Sequence, residues 1–391
     1  MSEHLAANIV VQDDLARNID NYLVRVVPTG FAGSVLVAQD GKIVLHRSYG
    51  LANDAIALPN TPDTVFDIGS LTKQFTAVAI LQLEERGLLR TTDPISQYFE
   101  NVPPDKASIT IHHLLTHTAG VTEHADDDHA PMTREEAIQR IFAQRLAFAP
   151  GTGYTYSNSG YTLLAAIIEL VSGKIYPTYL KTHLFNKAGL QRTGFYNDPQ
   201  WQTLPIAHGY LNYIDWGSPA TWSGPYWTVM GNGEALSTTR DLYQWWQALQ
   251  NHTILSATQT ARLFEQHAQE SEDSYYGYGW TIVDTDIGSL ITHDGGGLGG
   301  NADLAFYPEQ RLLIIILSNR MVYLPLSDDV SLAEKLYATD TSWQLARNIV
   351  SGDFSQLPRP TRSIIPALVV LGIAIVMVCA GVTIVLRRWR R

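Results

Sequence analysis

Cysteine is almost absent from these 391 residues: the single one is Cys379. That excludes an intrachain disulfide framework and any cysteine-ligated metal site. Charge is sparse as well, at 17% Asp, Glu, Lys and Arg, and positive charge is the scarcer kind. Six of the 27 basic residues (Arg359, Arg362, Arg387, Arg388, Arg390 and Arg391) follow residue 358, where no acid occurs. Residues 1–358 therefore carry 21 − 38 = −17 by formal count. So acidic a body is a poor partner for nucleic acid, and none is expected. No internal repeat is visible. The start, Met1-Ser2-Glu3-His4-Leu5, has neither the basic region nor the apolar stretch of a secretory signal.

What is abundant is apolar residue, at 45% with 10% aromatics, enough for a substantial core. Ser34–Ala38 and Lys42–His46 flank Asp40-Gly41, a hairpin signal. Leu304–Tyr307 and Leu312–Leu317 flank Pro308–Arg311 as a second hairpin near the other end. Strands at both ends with helical patterns between them predict an α+β plan. The tail is different in kind. Ile364–Leu386 is 23 residues without a charge, about 34 Å as a helix and so long enough to span a bilayer core. Arg387-Arg388-Trp389-Arg390-Arg391 follows, and Pro358, Pro360 and Pro366 mark a linker. The reading is a main domain over 1–350, a linker over 351–363, a transmembrane helix over 364–386 and a basic tail over 387–391. The terminal arginines put the C-terminus in the cytoplasm and the domain outside. That expects a single-pass membrane protein whose signal is missing from this sequence, the first residues reading like the start of a mature domain; the alternative is a tail-anchored protein whose domain stays inside.

The residues that point to chemistry begin with Ser70-Leu71-Thr72-Lys73, where a short strand runs into a helix carrying Leu71, Phe75, Val78, Ala79 and Leu83 at helical spacing. A separation of three brings the Lys73 amine to the Ser70 hydroxyl. The positive helix end there favours an oxyanion and disfavours a charged lysine. A neutral amine beside a serine is a nucleophile with its base. Tyr156-Ser157-Asn158 follows a turn-rich stretch, and in an extended loop residues two apart face the same way. His293-Asp294-Gly295 opens the run Gly295-Gly296-Gly297-Leu298-Gly299-Gly300, a strand edge that a substrate backbone can approach closely. Taken alone, each segment has a plain structural reading: S-x-x-K recurs by chance, Y-x-N is a common loop tripeptide, and a glycine run is most often a turn.

In this order and at these separations the three segments resemble the serine β-lactamase and penicillin-binding protein superfamily. The branch is that of class C β-lactamases, DD-peptidases and family VIII esterases, with H-x-G as the third motif. The resemblance spans roughly residues 20–350. It includes Leu83–Leu89, Asp93-Pro94-Ile95, Ile111–Gly120, Leu236–Leu242 and Tyr278-Gly279-Trp280. It implies a β-lactamase/transpeptidase-like fold, an antiparallel sheet flanked by helices plus a mostly helical lobe from about 70 to 230. It also implies roles. Ser70 attacks a carbonyl, Lys73 and Tyr156 share its proton, and backbone N–H groups of Ser70 and Gly296 form the oxyanion hole. Asn158, His293, Gly295 and Gly296 meet the substrate, and no metal or organic cofactor is needed.

Where this branch's β-lactamases have lysine and threonine to greet a carboxylate, this chain has His293 and Asp294. A neutral imidazole attracts that group only weakly, and Asp294 repels it if it faces the cleft rather than the sheet, which turns the expectation toward an ester, an amide or an amine-bearing peptide. The expected activity is a serine hydrolase of esterase or D-amino-acid peptidase type acting on a small molecule. The alternatives are a β-lactamase, or a non-catalytic, membrane-anchored sensor of penicillin-binding type. His113-x-x-x-His117 has zinc-pair spacing but lacks the following glutamate, and is read as structural. His124, Asp126, Asp127, Asp128 and His129 are read as a solvated acidic loop. Trp216, Trp222, Tyr226 and Trp227 are read as core or lobe surface as readily as a substrate wall.

Overall fold

The first hairpin forms as its turn residues dictate. Asp40 (φ 52°) and Gly41 (φ 74°) are both left-handed, the conformation that a two-residue turn matched to strand twist requires. They join Gly33–Gln39 to Lys42–Tyr49. The second hairpin joins Asn301–Tyr307 to Leu312–Ser318. Gly33–Gln39 pairs antiparallel with Leu312–Ser318, so the two ends of the domain meet in one sheet. The computed structural model describes residues 9–10, 13–128, 130–211, 214–222, 224–297, 299–325, 332–336, 338–358 and 361–364. Within it the sheet has nine strands, with Ile9–Val10 at one edge and Ala268–Gln269 at the other.

Alternation along the strands gives the sheet two apolar faces. Val35, Val37, Leu45, Ile314 and Ile316 pack with Ile19, Tyr22, Leu23 and Val26 of helix α1 (Asp14–Val26), and with Leu345 and Ala346 of the helix Ala338–Ser351. Leu36, Ala38, Leu313, Ile315 and Leu317 face the other way, into the larger core shared with the helical lobe. There helix α2 (Thr72–Glu85) is buried at every residue from Thr72 to Leu83. Most of its polar side chains find partners, as burial demands, although Gln74 Nε2 has none among the described residues. Thr76 donates to the Gly231 carbonyl (2.6 Å), and Gln74 accepts from the Trp245 indole (3.2 Å). Phe75 meets the Trp245 ring edge-on at 4.7 Å. The lobe is completed by helices α3 (Ile111–Leu115), α4 (Arg134–Ala143) and α5 (Asn158–Ser172).

The α+β plan and both hairpins match the sequence reading; two local expectations do not. Ser70 stands in a 3₁₀ turn, Gly69–Leu71, immediately before α2 rather than in its first α-turn. Thr361–Ile364, read as the end of the linker (to 363) and the first residue of the membrane helix, is a strand antiparallel to Leu332–Leu336. Beyond Ile364 the proposed membrane segment and the basic tail lie outside the described residues. Among the described residues no single helix is long and apolar enough to cross a membrane.

Candidate active site

The site forms where the 3₁₀ turn before α2 abuts the strand Gly288–Gly296. That strand's partner on one edge, Thr281–Thr285, stops at Thr292, while pairing to Asn301–Tyr307 on the other edge continues to Gly296. From His293 onward the free edge receives residues 68–70 instead. Two glycines make the approach possible. A Cβ on Gly295 would stand 2.0 Å from the Ile68 carbonyl oxygen and 3.0 Å from the Ser70 nitrogen. Gly69 is left-handed (φ 49°), and a Cβ there would stand 2.5 Å from the Gly296 oxygen. Gly296 itself has nothing within 4 Å on its Cβ side, so the strand opens there. The Ser70 N–H sits in the opening turn of a helix, where backbone donors lack an intrahelical acceptor. It is thus free to serve an oxyanion.

Lys73 is placed to act as a base. Its amine lies 2.9 Å from Ser70 Oγ, 2.7 Å from Asn158 Oδ1 and 3.0 Å from the Asn232 carbonyl oxygen. The amide and backbone oxygens are acceptors only, so they take two N–H bonds. A neutral amine then has its lone pair left for the Ser70 hydroxyl. Burial drives the Lys73 pKa down from 10.5 to about 7, against the pull of Asp128, Asp294 and Glu123. The neutral form is therefore abundant near pH 7. The ammonium form is stabilised by the faces of Tyr156 (4.7 Å) and Tyr161 (5.6 Å).

Burial holds the Tyr156 pKa well above 10, so it starts as a phenol. Its hydroxyl faces the Ser70 side chain closely enough for Ser70 to draw that pKa down, though less than burial raises it. As a phenol beside Ser70 and Lys73, it can pass a proton between them. Asn158 reaches the site by a different backbone from the one expected. It opens α5, with Ser157 as the N-cap accepting from the Gly160 N–H at 2.9 Å. The extended loop ends at Ser157.

His293 departs most from the sequence reading. Its ring is 3% exposed. Nδ1 donates to the Asp294 carbonyl (2.6 Å), which leaves Nε2 to accept from the Tyr276 hydroxyl (2.9 Å). Both nitrogens are committed to the protein, and burial lowers the pKa to about 4. The imidazole is neutral and turned inward, not presented to substrate. Asp294 is exposed and stands across from Asp303 in the strand register.

Other expected features resolve structurally. α3 ends before His117, whose φ of 61° takes it off the helix, so His113 and His117 share no helical face. His124 lies between Asp128 (3.1 Å) and Glu123 (3.3 Å), which push its pKa up to about 10. The aromatic stretch splits: Trp227 is buried, Trp216 is 40% exposed, and Trp222 meets Tyr196 edge-on at 5.3 Å. The Asn232 carbonyl, Tyr276 and Glu123 were not singled out from the sequence, and Asp128, read as part of a solvated acidic loop, acts with Glu123 on Lys73. A backbone acceptor has no side-chain signature beyond the turn residues Gly231-Asn232-Gly233, and Tyr276 gains its role only by cross-sheet proximity.

Comparison with known proteins agrees with this geometry. The family model described as Beta-lactamase matches residues 24–338. Penicillin-binding protein 4* of Bacillus subtilis is 31% identical over 311 residues, covering 74% of this chain and 68% of that protein. Teichoic acid D-alanine hydrolase of Staphylococcus aureus is 26% identical, covering 78% and 74%. The crystal structure of a penicillin-binding protein from Bacillus halodurans superposes with a TM-score of 0.67 at 30% identity, covering 79% of this chain and 95% of that one. With Ser70, Lys73 and Tyr156 brought together on the family's fold, the chain belongs to the Beta-lactamase family, the serine β-lactamase and penicillin-binding protein superfamily of serine hydrolases.

Proposed function

We propose that this chain is an esterase or amidase/peptidase that works through an acyl-enzyme on Ser70, on amino-acyl substrates carrying a free ammonium group. Ser70 Oγ attacks the carbonyl carbon while its proton passes to the neutral Lys73 amine. The oxyanion rests on the N–H groups of Ser70 and Gly296. Tyr156 then gives its proton to the leaving oxygen or nitrogen and is reprotonated from Lys73, which returns to the neutral amine. Water repeats the sequence to release the acid. Every proton is returned, and no step calls for a metal or organic cofactor.

The observation that carries the substrate class is the third motif. A substrate carboxylate meets no cation there, because His293 is neutral and turned inward. It meets instead the exposed Asp294, with Asp128 and Glu123 also acting on the site. An ammonium group is favoured by the same charges. The family relative named for teichoic acid D-alanine hydrolysis supports the class, since a D-alanyl ester bears such a group. Membrane attachment through Ile364–Leu386, with the hydrolase domain outside the cell, belongs to the same proposal and would bring the site to cell-envelope substrates.

The test compares D-alanine methyl ester, its N-acetyl derivative and nitrocefin. The free-amine ester should exceed its N-acetyl counterpart in kcat/KM by about tenfold, with nitrocefin the poorest of the three. Asp294→Lys should narrow the first difference and raise nitrocefin turnover. Preference of the unmodified protein for nitrocefin would overturn the amine-bearing substrate class.

A further inference from the structure

Among the buried polar groups that the mechanism does not use, one lies directly behind Tyr156. His117 is 1% exposed and left-handed at φ 61°, a conformation that costs a non-glycine residue energy and persists where surrounding contacts hold it. Its ring stacks on Tyr156 with centroids 4.4 Å apart and planes at 38°. It also meets Tyr161 at 5.2 Å and Tyr276 at 4.4 Å. Nδ1 accepts the Ser157 N–H at 3.0 Å, and the His117 carbonyl accepts the Thr155 N–H at 3.0 Å. The residues on both sides of Tyr156 are thus tied to one histidine. Because Nδ1 accepts, the proton sits on Nε2, which is buried with no hydrogen-bond partner among the described residues. A buried donor without an acceptor is costly. The tyrosine rings are what surround it.

The same stack reaches the third motif. Tyr276 touches the His117 ring on one side and donates its hydroxyl to His293 Nε2 on the other. Tyr276 and Tyr156 meet edge-on at 6.3 Å. The strand carrying Gly295 and Gly296 is therefore connected to the second motif through side chains, independently of the backbone contacts at Ser70.

We infer that His117 is a positioning residue for Tyr156, and that His293 acts on the same ring through Tyr276 rather than on substrate. Two bonds and one stacked face fix the phenol above Ser70; the neutral imidazole does this without adding a competing charge. The inference deepens the acyl-transfer reading above and rests on it.

Two variants separate the ties. His117→Phe keeps an aromatic ring and removes the acceptor for Ser157. His117→Asn keeps an acceptor near the Nδ1 position and removes the ring. Turnover of D-alanine methyl ester is measured per active site, counted with a fluorophosphonate that labels Ser70, so misfolded protein is excluded. His117→Phe should lower kcat about 100-fold, the scale of a misplacement near 1 Å, with KM within about threefold. His117→Asn should recover part of that loss. His293→Phe should lower kcat in the same direction with KM likewise little changed. A general folding defect would instead reduce the titrated sites and leave kcat per site intact, and that result would overturn the inference.

A second readout does not depend on turnover. In the ¹⁵N spectrum of the unmodified protein, His117 should show a protonated Nε2 and an unprotonated Nδ1 from about pH 5 to about pH 9. The opposite tautomer, or an imidazolium in that range, would also overturn it. Were the protein inert toward every ester and amide, the reading of function would fail while the tautomer still decided the geometry.

Discussion

Lys73→Met is expected to lower kcat/KM by at least about 10³-fold, the scale seen when one member of a nucleophile–base unit is removed. Lys73 is buried, its two carbonyl acceptors take two N–H bonds, and the remaining lone pair meets Ser70 Oγ. Methionine fills similar space and supplies none of this, so folding should survive while proton transfer from Ser70 does not. The pH dependence carries the same signature. The base must be unprotonated, and its pKa is lowered to about 7. Activity of the unmodified protein should therefore rise with pH through about 7 and level off above it. Had Lys73 kept its usual value of 10.5, the rise would continue to about pH 10. Steady-state rates at low substrate from about pH 5 to about pH 10 distinguish the two. The residual activity of Lys73→Met should lack the step near 7.

Gly295→Ala is expected to be nearly as damaging, through geometry alone. The added Cβ would fall 2.0 Å from the Ile68 carbonyl oxygen and 3.0 Å from the Ser70 nitrogen, both backbone atoms. No rotamer relieves a backbone clash, so the strand and the nucleophile turn must separate. The Ser70 and Gly296 N–H groups would no longer converge, and losing one oxyanion donor typically costs about 10²–10³ in kcat. The same separation should lower the melting temperature by several degrees, about the effect of a 1–2 kcal/mol loss in a chain this size. Gly296→Ala is the contrast. Its Cβ meets nothing within 4 Å, so the fold should keep its melting temperature and any activity loss reports substrate obstruction. Equal melting temperatures for Gly295→Ala and the unmodified protein would contradict the account of the strand edge.

What the sequence made legible was what local chemistry determines. Asp40-Gly41 could only be a tight turn, and its two left-handed residues follow from that. Ser70 and Lys73 are three apart in a chain that turns helically, and a 3₁₀ turn followed by α2 brings them together as well as a regular helix would. What escaped is decided between distant segments. Asn232 joins the site through a carbonyl, which any residue type supplies. His293 was read as meeting substrate because it opens the third motif. Tyr276, 17 residues earlier and one hydrogen bond away, turns it inward. The low pKa of Lys73 was anticipated from the helix dipole, yet burial is its largest cause. Burial depends on the whole lobe closing over α2.

The central claim is a covalent bond to Ser70. The direct measurement is mass spectrometry of residues 1–358, acid-quenched during turnover of D-alanine methyl ester and digested. The account predicts a D-alanyl group on the peptide holding Ser70, absent in Ser70→Ala, whose turnover is lost as well. Full turnover in Ser70→Ala, or an acyl group on any other residue, would contradict it.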